Sequence, residues 1–523
     1  MDSDIQPIEA SPRFAPPEKD IAILATGAGI ALVGRVGGRG LYAITEIVLA
    51  RFLGPAGFGL YSIGLNLLRI VGTIGMLGLQ NGVIRFGTRY WRTSPSGLKT
   101  TLLYAIGLSL ASGVFMGMTL YFIAPWLAVQ VFSKPELVSI FRRFAFAFPL
   151  AIGLWVTASA TRISKRIKYS VFAEDVVQPA ANLILVIVVA LFGLTLSRAV
   201  SINVLSYSVA LGLALFYVRI LFPEALASPA GSDIGIKEIL FYSIPTGLAG
   251  TFTLLTGWIG RLFVGYYRPA EEAGIYQAAS QITILFVIIL GALNAIFSPM
   301  IADLFHRKEM MRIDALYKIS TKWGLYIVIP LFLVICFIPR EFMVTIFGKD
   351  YADGAIPLVI LATTQVVNVG TGAVGFLLTM SGHQNQWFIT SGFTMSLTLI
   401  LNAVLVPVFG MTGSALATAL AVSGLYLAGL VQVKITLGLW PYDRRYIKGL
   451  LTTGIMAGVL FLISRFVYHP SPLIAVGISS IVSAAGFGLV LLLLGLDNED
   501  REFIRVISTR IKNLRIFNNS KDK

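Results

Sequence analysis

The sequence predicts an all-α integral membrane protein of about 14 transmembrane helices, arranged as two parallel six-helix lobes followed by two C-terminal helices. Three observations carry this reading. Of 523 residues, 56% are hydrophobic and only 13% charged, where soluble domains hold about 25% charged residues. Apolar runs near or above the roughly 20 residues needed to cross a bilayer recur along almost the whole chain. Basic residues gather in alternate connections, as the positive-inside rule requires of a multi-spanning chain.

The apolar runs fall at 22–48, 57–82, 100–123, 144–161, 175–193, 199–222, 239–265, 275–301, 319–338, 355–380, 388–409, 413–433, 449–468 and 472–496. Residues 1–20 hold Pro7, Pro12, Pro16 and Pro17 among five acids and lack a basic n-region, so they read as a disordered tail rather than a signal peptide. Fourteen crossings put both termini on one side. With the termini cytoplasmic, 28 of the 41 Lys/Arg lie in inner segments, nine in outer ones and four inside spans. That bias accounts for the net charge of +15, which in another chain would suggest nucleic acid; nucleic-acid binding is not expected here. A single cysteine, Cys336, excludes intramolecular disulfides, and three scattered histidines exclude a His-rich metal site. No cofactor is implied. The spans make this a multi-pass protein, and its expected location is the inner (cytoplasmic) membrane.

The chain is internally duplicated. ARFLGPAGFGLYS (50–62) and VGYYRPAEEAGIYQ (264–277) are Pro/Gly turns after an odd-numbered span, closing on Tyr61 and Tyr276, 215 residues apart. VFSK (131–134) faces IFGK (346–349) at the same offset, and NLILVIVVALFG (182–193) echoes NAVLVPVFG (402–410) at 220. Six spans per repeat is an even number, so the halves enter the membrane in the same direction and are related by an axis along its normal. The expected division is therefore an N-lobe at 21–222, a cytoplasmic linker at 223–238 rich in Pro and Gly, and a C-lobe at 239–438. Two further helices follow at 439–496. The basic cytoplasmic tail at 497–523 has an amphipathic pattern over 501–523 suited to a membrane surface.

The outer turn ARFLGPAGFGLYS, the run GTIGMLGLQNGVIRF (72–86), FGKDYADGAIPL (347–358) and LNAVLVPVFGMTGSALAT (401–418) resemble Wzx-type polysaccharide flippases. That group belongs to the superfamily that also holds the multidrug and toxic compound exporters (MATE) and the lipid II flippase. The resemblance runs over nearly all of 20–435. It implies a MATE-like fold and a lipid-linked oligosaccharide as cargo; its motifs are turns and small-residue contacts, which report the substrate poorly.

A charge near the bilayer centre costs about 2.5–3.5 kcal/mol on insertion scales and is a functional-site hypothesis by default. Four basic residues qualify: Arg35, Arg39, Arg69 and Arg261. Arg35, Arg39, Tyr42 and Glu46 share one face of the first span, and Ser62, Asn66, Arg69, Thr73 and Gln80 form a stripe on the second. Two polar stripes on neighbouring helices imply a hydrated cavity. Snorkelling to the interface or bonding to backbone carbonyls of neighbouring helices is the competing account of these arginines. Among the 26 acids only Glu46 lies well inside a span, with Glu174 and Asp175 at an inner end. Arginines so outnumbering carboxylates attract anions, and guanidinium forks suit phosphate oxygens. The resemblance implies that the anion is a polyprenyl pyrophosphate carrying an oligosaccharide. Expected substrate-binding residues are Arg35, Arg39, Tyr42, Asn66, Arg69 and Arg261; gating or ion coupling is expected of Glu46, Arg261, Glu174 and Asp175.

Glu46 and Arg261 each lie 15 residues before their repeat's tyrosine, so they are equivalent positions of opposite charge. They either meet near the pseudo-two-fold axis and close the outer gate, or each pairs within its own lobe. The tryptophans Trp91, Trp126, Trp323, Trp387 and Trp440 lie near span ends and read as an interfacial belt. The loop RISKRIK (162–168) offers cations to lipid headgroups or substrate phosphate, although positive-inside topology alone accounts for it. No P-loop, dinucleotide fingerprint, HExxH or CxxC occurs, and outer connections are too short for a catalytic domain, so the chain is not read as an enzyme. Partners are then the lipid-linked oligosaccharide, membrane lipids and other glycan-assembly membrane proteins. The alternatives are a multidrug or organic-ion exporter of the same fold and a non-transporting scaffold for glycan assembly.

Overall fold

The computed structural model describes residues 18–231, 234–466, 471–495 and Asp497. Most of the tail expected at 1–20, and all of the basic tail after Asp497, lie outside the described residues. No strand occurs among the described residues.

The first half comprises α1 (Glu18–Gly75), α2 (Leu79–Tyr90), α3 (Pro95–Trp126), α4 (Leu137–Ala145), α5 (Ala147–Thr161), α6 (Lys168–Val171), α7 (Gln178–Ala190) and α8 (Leu196–Leu221). A π-helical turn, Phe172–Val177, joins α6 to α7. After α9 (Pro223–Ala227) come α10 (Ile236–Tyr267), α11 (Ala270–Ile282), α12 (Ile284–His306), α13 (Met310–Phe337), α14 (Pro339–Phe347), α15 (Ala355–Thr371), α16 (Val374–Met380) and α17 (Gln384–Leu437). Two more, α18 (Tyr446–Phe466) and α19 (Pro472–Leu493), pack against α13, and α19 also against α14. Several starts are capped: Ser94 accepts from the Gly97 amide ahead of Pro95, and Ser471 from the Ile474 amide ahead of Pro472.

The two longest helices are hairpins. Gly54 breaks α1 with φ of 67°, a left-handed conformation that only glycine adopts cheaply, and Pro55 follows. In an unbroken helix Tyr42 and Arg69 would stand about 40 Å apart, yet the Arg69 guanidinium lies 4.6 Å from the Tyr42 ring. The arms therefore run antiparallel. Gly410 (φ 57°) turns α17 in the same way, and the Ser414 hydroxyl reaches Asn402 Oδ1 across the turn at 2.8 Å. Among the described residues, ten helices are long and apolar enough to cross a membrane, or eleven if Leu137–Ala145 and Ala147–Ser164 form one bent span. The expected number of 14 is not reached by this measure. The difference arises in part because each hairpin, Val33–Gly75 and Gln384–Leu437, holds two of the apolar runs in one continuous helix.

Contacts between the halves run mainly through α1, against α10, α11 and α12, and through α2 against α10. Glycines make the closest crossings. At the Gly54 end of the molecule, a Cβ on Gly59 would strike the Ala270 carbonyl and come within 2.9 Å of the Gly274 nitrogen. A Cβ on Gly274 would strike the Pro55 carbonyl and lie 2.9 Å from the Gly59 nitrogen. These two glycines are equivalent in the repeat, so the halves cross on their own pseudo-axis through positions where only hydrogen fits. At the opposite end Gly78 meets Gly247, with a Cβ on Gly247 placed 2.5 Å from the Gly78 Cα.

Two clasps add to closure at the Gly54 end. Lys134 Nζ donates to the Gly265 carbonyl at 2.8 Å. Arg51 donates to the carbonyls of Ile346 at 2.8 Å and Thr345 at 2.5 Å, while Tyr351 donates to the Ala50 carbonyl at 2.8 Å. The segment 223–238 is not a bare connector: Lys99 Nζ donates to the carbonyls of Leu226 (3.0 Å) and Ser228 (2.6 Å), holding it along α3.

Candidate functional site

A cavity of about 900 Å³ lies between the two halves. Its first-half wall presents Arg39, Tyr42 and Arg69 from the α1 hairpin, Trp155 from α5, Arg162 just after it, Glu174 and Asp175 from the π-helical turn, and Tyr207 from α8. The second-half wall presents Trp258 and Arg261 from α10, Gln281 from α11, Asn294 from α12, Gln365 and Asn368 from α15, and Thr418 from α17.

Geometry sorts the arginines into two groups. Arg35 Nε stands 3.9 Å from Asp175 Oδ2, and Arg162 Nη2 stands 3.6 Å from Glu174 Oε2. Arg39, Arg69 and Arg261 line the cavity with no carboxylate within ion-pair distance among the described residues. The Arg69 guanidinium lies 4.6 Å from the Tyr42 ring centroid and 5.9 Å from that of Trp258, within cation–π range of both. Rings hold such a cation in place while leaving its N–H fork free for an anion. Arg261 Nε is buried without a hydrogen-bond partner.

Towards the Gly54 end the cavity closes on a buried polar knot. Glu46 is 1% exposed and accepts from Gln277 Nε2 at 2.9 and 3.2 Å and from the Tyr42 hydroxyl. Asn66 Nδ2 donates to Gln277 Oε1 at 3.2 Å and to the Ser62 carbonyl at 2.8 Å. Gln277 thus ties both arms of α1 to α11. Towards the opposite end the lining reaches Arg162 and Asp175, whose side chains are 30% and 29% exposed.

Of the expected binding residues, Arg39, Tyr42, Arg69 and Arg261 therefore face one cavity. Arg35 does not; its side chain is 53% exposed and turned to Asp175. Nor does Asn66, whose Nδ2 is turned to Gln277 and the Ser62 carbonyl. Glu46 and Arg261 make no ion pair with each other: Glu46 crosses to the second half through Gln277 instead. Glu174 and Asp175 line the cavity, each facing an arginine. Sequence reasoning missed the aromatic wall, although a signal existed: Trp155 and Trp258 are the two tryptophans left once the interfacial belt is assigned. It also missed the amides Gln281, Gln365 and Asn368, which sit singly on apolar spans and converge only in three dimensions.

A helical bundle in two halves around an arginine-bearing cavity is the architecture of a membrane transporter fold. The lipid II flippase MurJ, in an inward closed conformation, shares that fold at a TM-score of 0.69 with 14% identity over 88% of this chain and 96% of that one; transporters of the MATE family share it as well. The model of the family "polysaccharide biosynthesis protein" matches residues 24–305, and the chain belongs to that family. Among curated proteins, the chain is 25% identical to the probable low-salt glycan biosynthesis flippase Agl15 of Haloferax volcanii, over 42% of this chain and 46% of that protein. It is 23% identical to the succinoglycan biosynthesis transport protein ExoT of Rhizobium meliloti, over 66% of this chain and 70% of the relative. The match to the first therefore spans about half that relative's length. The family read from the sequence motifs stands on these findings, and the names are those of flippases and transport proteins rather than enzymes.

Proposed function

We propose that the protein is a flippase that carries a polyprenyl-pyrophosphate-linked oligosaccharide from the cytoplasmic to the outer leaflet. The observation that carries this reading is the trio of cavity guanidiniums, Arg39, Arg69 and Arg261, left without carboxylate partners. Arginines without carboxylate partners attract an anion, and their planar forks match pyrophosphate oxygens two at a time. The opposite wall suits the glycan, since the amides and hydroxyl of Gln281, Gln365, Asn368 and Thr418 each donate and accept, as sugar hydroxyls do.

Two lobes, 21–222 and 239–438, rock about this cavity in alternating access, with 223–238 as their connection and the helices of 439–496 appended. The closed Gly54 end is the outer one, and the termini and RISKRIK loop face the cytoplasm. Without an ATP site, Glu174 and Asp175 are the acids placed to couple the cycle to an ion. Other membrane proteins of glycan assembly would deliver and receive the cargo.

The test is binding by the purified protein of a polyprenyl-pyrophosphate sugar and of a lipophilic cation, each at low and high salt, in wild type and Arg39→Ala/Arg69→Ala. Salt-sensitive binding of the pyrophosphate lipid, lost in the double variant, is expected. Cation binding indifferent to the arginines would move the chain to the drug-exporter branch of the fold.

A further inference from the structure

A second concavity lies on the outside of the first half, between α1, α6 and α8. Its volume is about 620 Å³, and its walls include Val33 and Gly34, Lys168 and Tyr169, Phe172 and Tyr217. It shares no lining residue with the central cavity. Most of it is hydrocarbon and aromatic: Val33 is 74% exposed and Phe172 48%. At one end the Tyr169 and Tyr217 rings meet edge to face, 4.8 Å apart, and Lys168 Nζ stands 5.0 Å from the Tyr169 ring. Lys165, Arg166 and Lys168 have no carboxylate within ion-pair distance among the described residues. The neighbouring Arg162 is different, being held by Glu174.

An apolar trough on the outer side of the bundle, ending in paired tyrosines and in Lys168, which has no carboxylate partner among the described residues, has the two-part chemistry of an anionic phospholipid. We propose that this groove binds one such molecule of the bilayer, with an acyl chain along Val33 and Phe172 and its phosphate at Lys168. Charge complementarity selects an acidic headgroup, and interfacial tyrosines place it at the depth of the glycerol region. The site is regulatory by its position. Phe172 belongs to the same π-helical turn that presents Glu174 and Asp175 to the cavity, and such turns mark helices whose register is set for function. Gly34 and Gly38 let α1 press on this segment, since a Cβ on either would collide with Val171 or with the Asp175 carbonyl. A lipid seated in the groove buttresses the turn from behind and so fixes the Asp175 carboxylate against Arg35.

Photo-crosslinking of the full chain in vesicles tests this, using phosphatidylglycerol with a photoactivatable acyl chain and the same probe built on phosphatidylcholine. Crosslinks at Phe172 or Val33 are expected from phosphatidylglycerol, and neutralising the exposed cation by Lys168→Gln should cut them about fivefold, the factor that about 1 kcal/mol per interfacial cation represents. Val33→Trp, which fills the trough without touching charge, should remove them. Equal crosslinking by phosphatidylcholine would overturn the proposal in favour of ordinary lipid contact. Displacement of the probe by polyprenyl pyrophosphate would overturn it in favour of a seat for the cargo's own tail, and the central-cavity reading would stand regardless of either result.

Discussion

The two walls of the cavity are built from equivalent stretches of the sequence repeat and differ in charge. At the 215-residue offset, Arg39 corresponds to Leu254, Tyr42 to Gly257, Glu46 to Arg261 and Arg69 to Ile284. All of these except Glu46 line the cavity. Both walls carry aromatic rings, but the first-half wall is ionic while the second-half wall is mostly neutral, with Arg261 its one arginine. In a symmetric transporter either wall would hold either end of the cargo. Here the divergence gives the cavity a polarity, so a ligand with a charged end and a neutral polar end has one favoured orientation.

The largest expected effect breaks that polarity directly. Arg39→Ala and Arg69→Ala should each weaken binding of a pyrophosphate lipid about tenfold to a hundredfold, the range given by losing a charge-assisted hydrogen bond of about 1.5–3 kcal/mol. Alanine at the equivalent Leu254 and Ile284 should change it less than about threefold, as substitutions of half-exposed apolar residues usually do. Isothermal titration in detergent micelles separates the two cases, and equal losses on both walls would remove the polarity.

A smaller effect concerns Glu46 and Arg261, equivalent positions with opposite charges that are not an ion pair. Removing the carboxylate by Glu46→Ala leaves the buried Gln277 amide and Tyr42 hydroxyl short of an acceptor, a loss of about 1–3 kcal/mol in stability. Glu46→Gln restores an acceptor and should recover most of it in thermal unfolding. The exchange Glu46→Arg/Arg261→Glu should rescue neither single variant, because Gln277 is the cross-lobe partner. Rescue by the exchange would mean that the two residues meet in another state of the cycle.

The contrast between the walls also shows what the sequence could reveal. The cavity-lining positions of Arg39, Arg69 and Arg261 could be anticipated because a charge in an apolar span is costly and stands out against its neighbours. Arg35 satisfies the same rule yet lies against Asp175 rather than in the cavity lining, since one residue's rotation about a helix decides between the cavity and an acid on the next element. Asn66 lies outside the lining for a different reason: a buried amide is equally at home facing a ligand or another amide, and Gln277 stands within its reach. The break at Gly54 could be read from Gly-Pro, and the repeat from its turns. The crossing of Gly59 over Gly274 could not, because small residues abound in membrane helices and nothing local says which of them touch.

The smallest expected effect lies at the two clasps of the Gly54 end, which the repeat also relates. Lys134 and Lys349 are equivalent, as are Gly265 and Ala50. In one clasp Lys134 holds the Gly265 carbonyl with a single bond. In the other Tyr351 takes the Ala50 carbonyl, and Arg51 adds two bonds to the C-terminal carbonyls of α14. Cation-to-carbonyl contacts at a rim that is exposed at Arg51 and half-buried at Lys134 resemble surface ion pairs in magnitude, about 1 kcal/mol or less each. Their loss should therefore shift the opening equilibrium without unfolding the protein. Ser62 is 3% exposed beneath the glycine crossing, so Ser62→Cys in a Cys336→Ser background reports opening through its rate of maleimide labelling. Arg51→Ala should raise that rate about fivefold and Lys134→Ala less, in the order of bonds between the halves removed. If neither changes it, the Gly59–Gly274 crossing alone closes this end and the clasps only position the loops; if Lys134→Ala has the larger effect, opening begins on the Lys134 side and the extra bonds of Arg51 belong to the stationary edge of the gate.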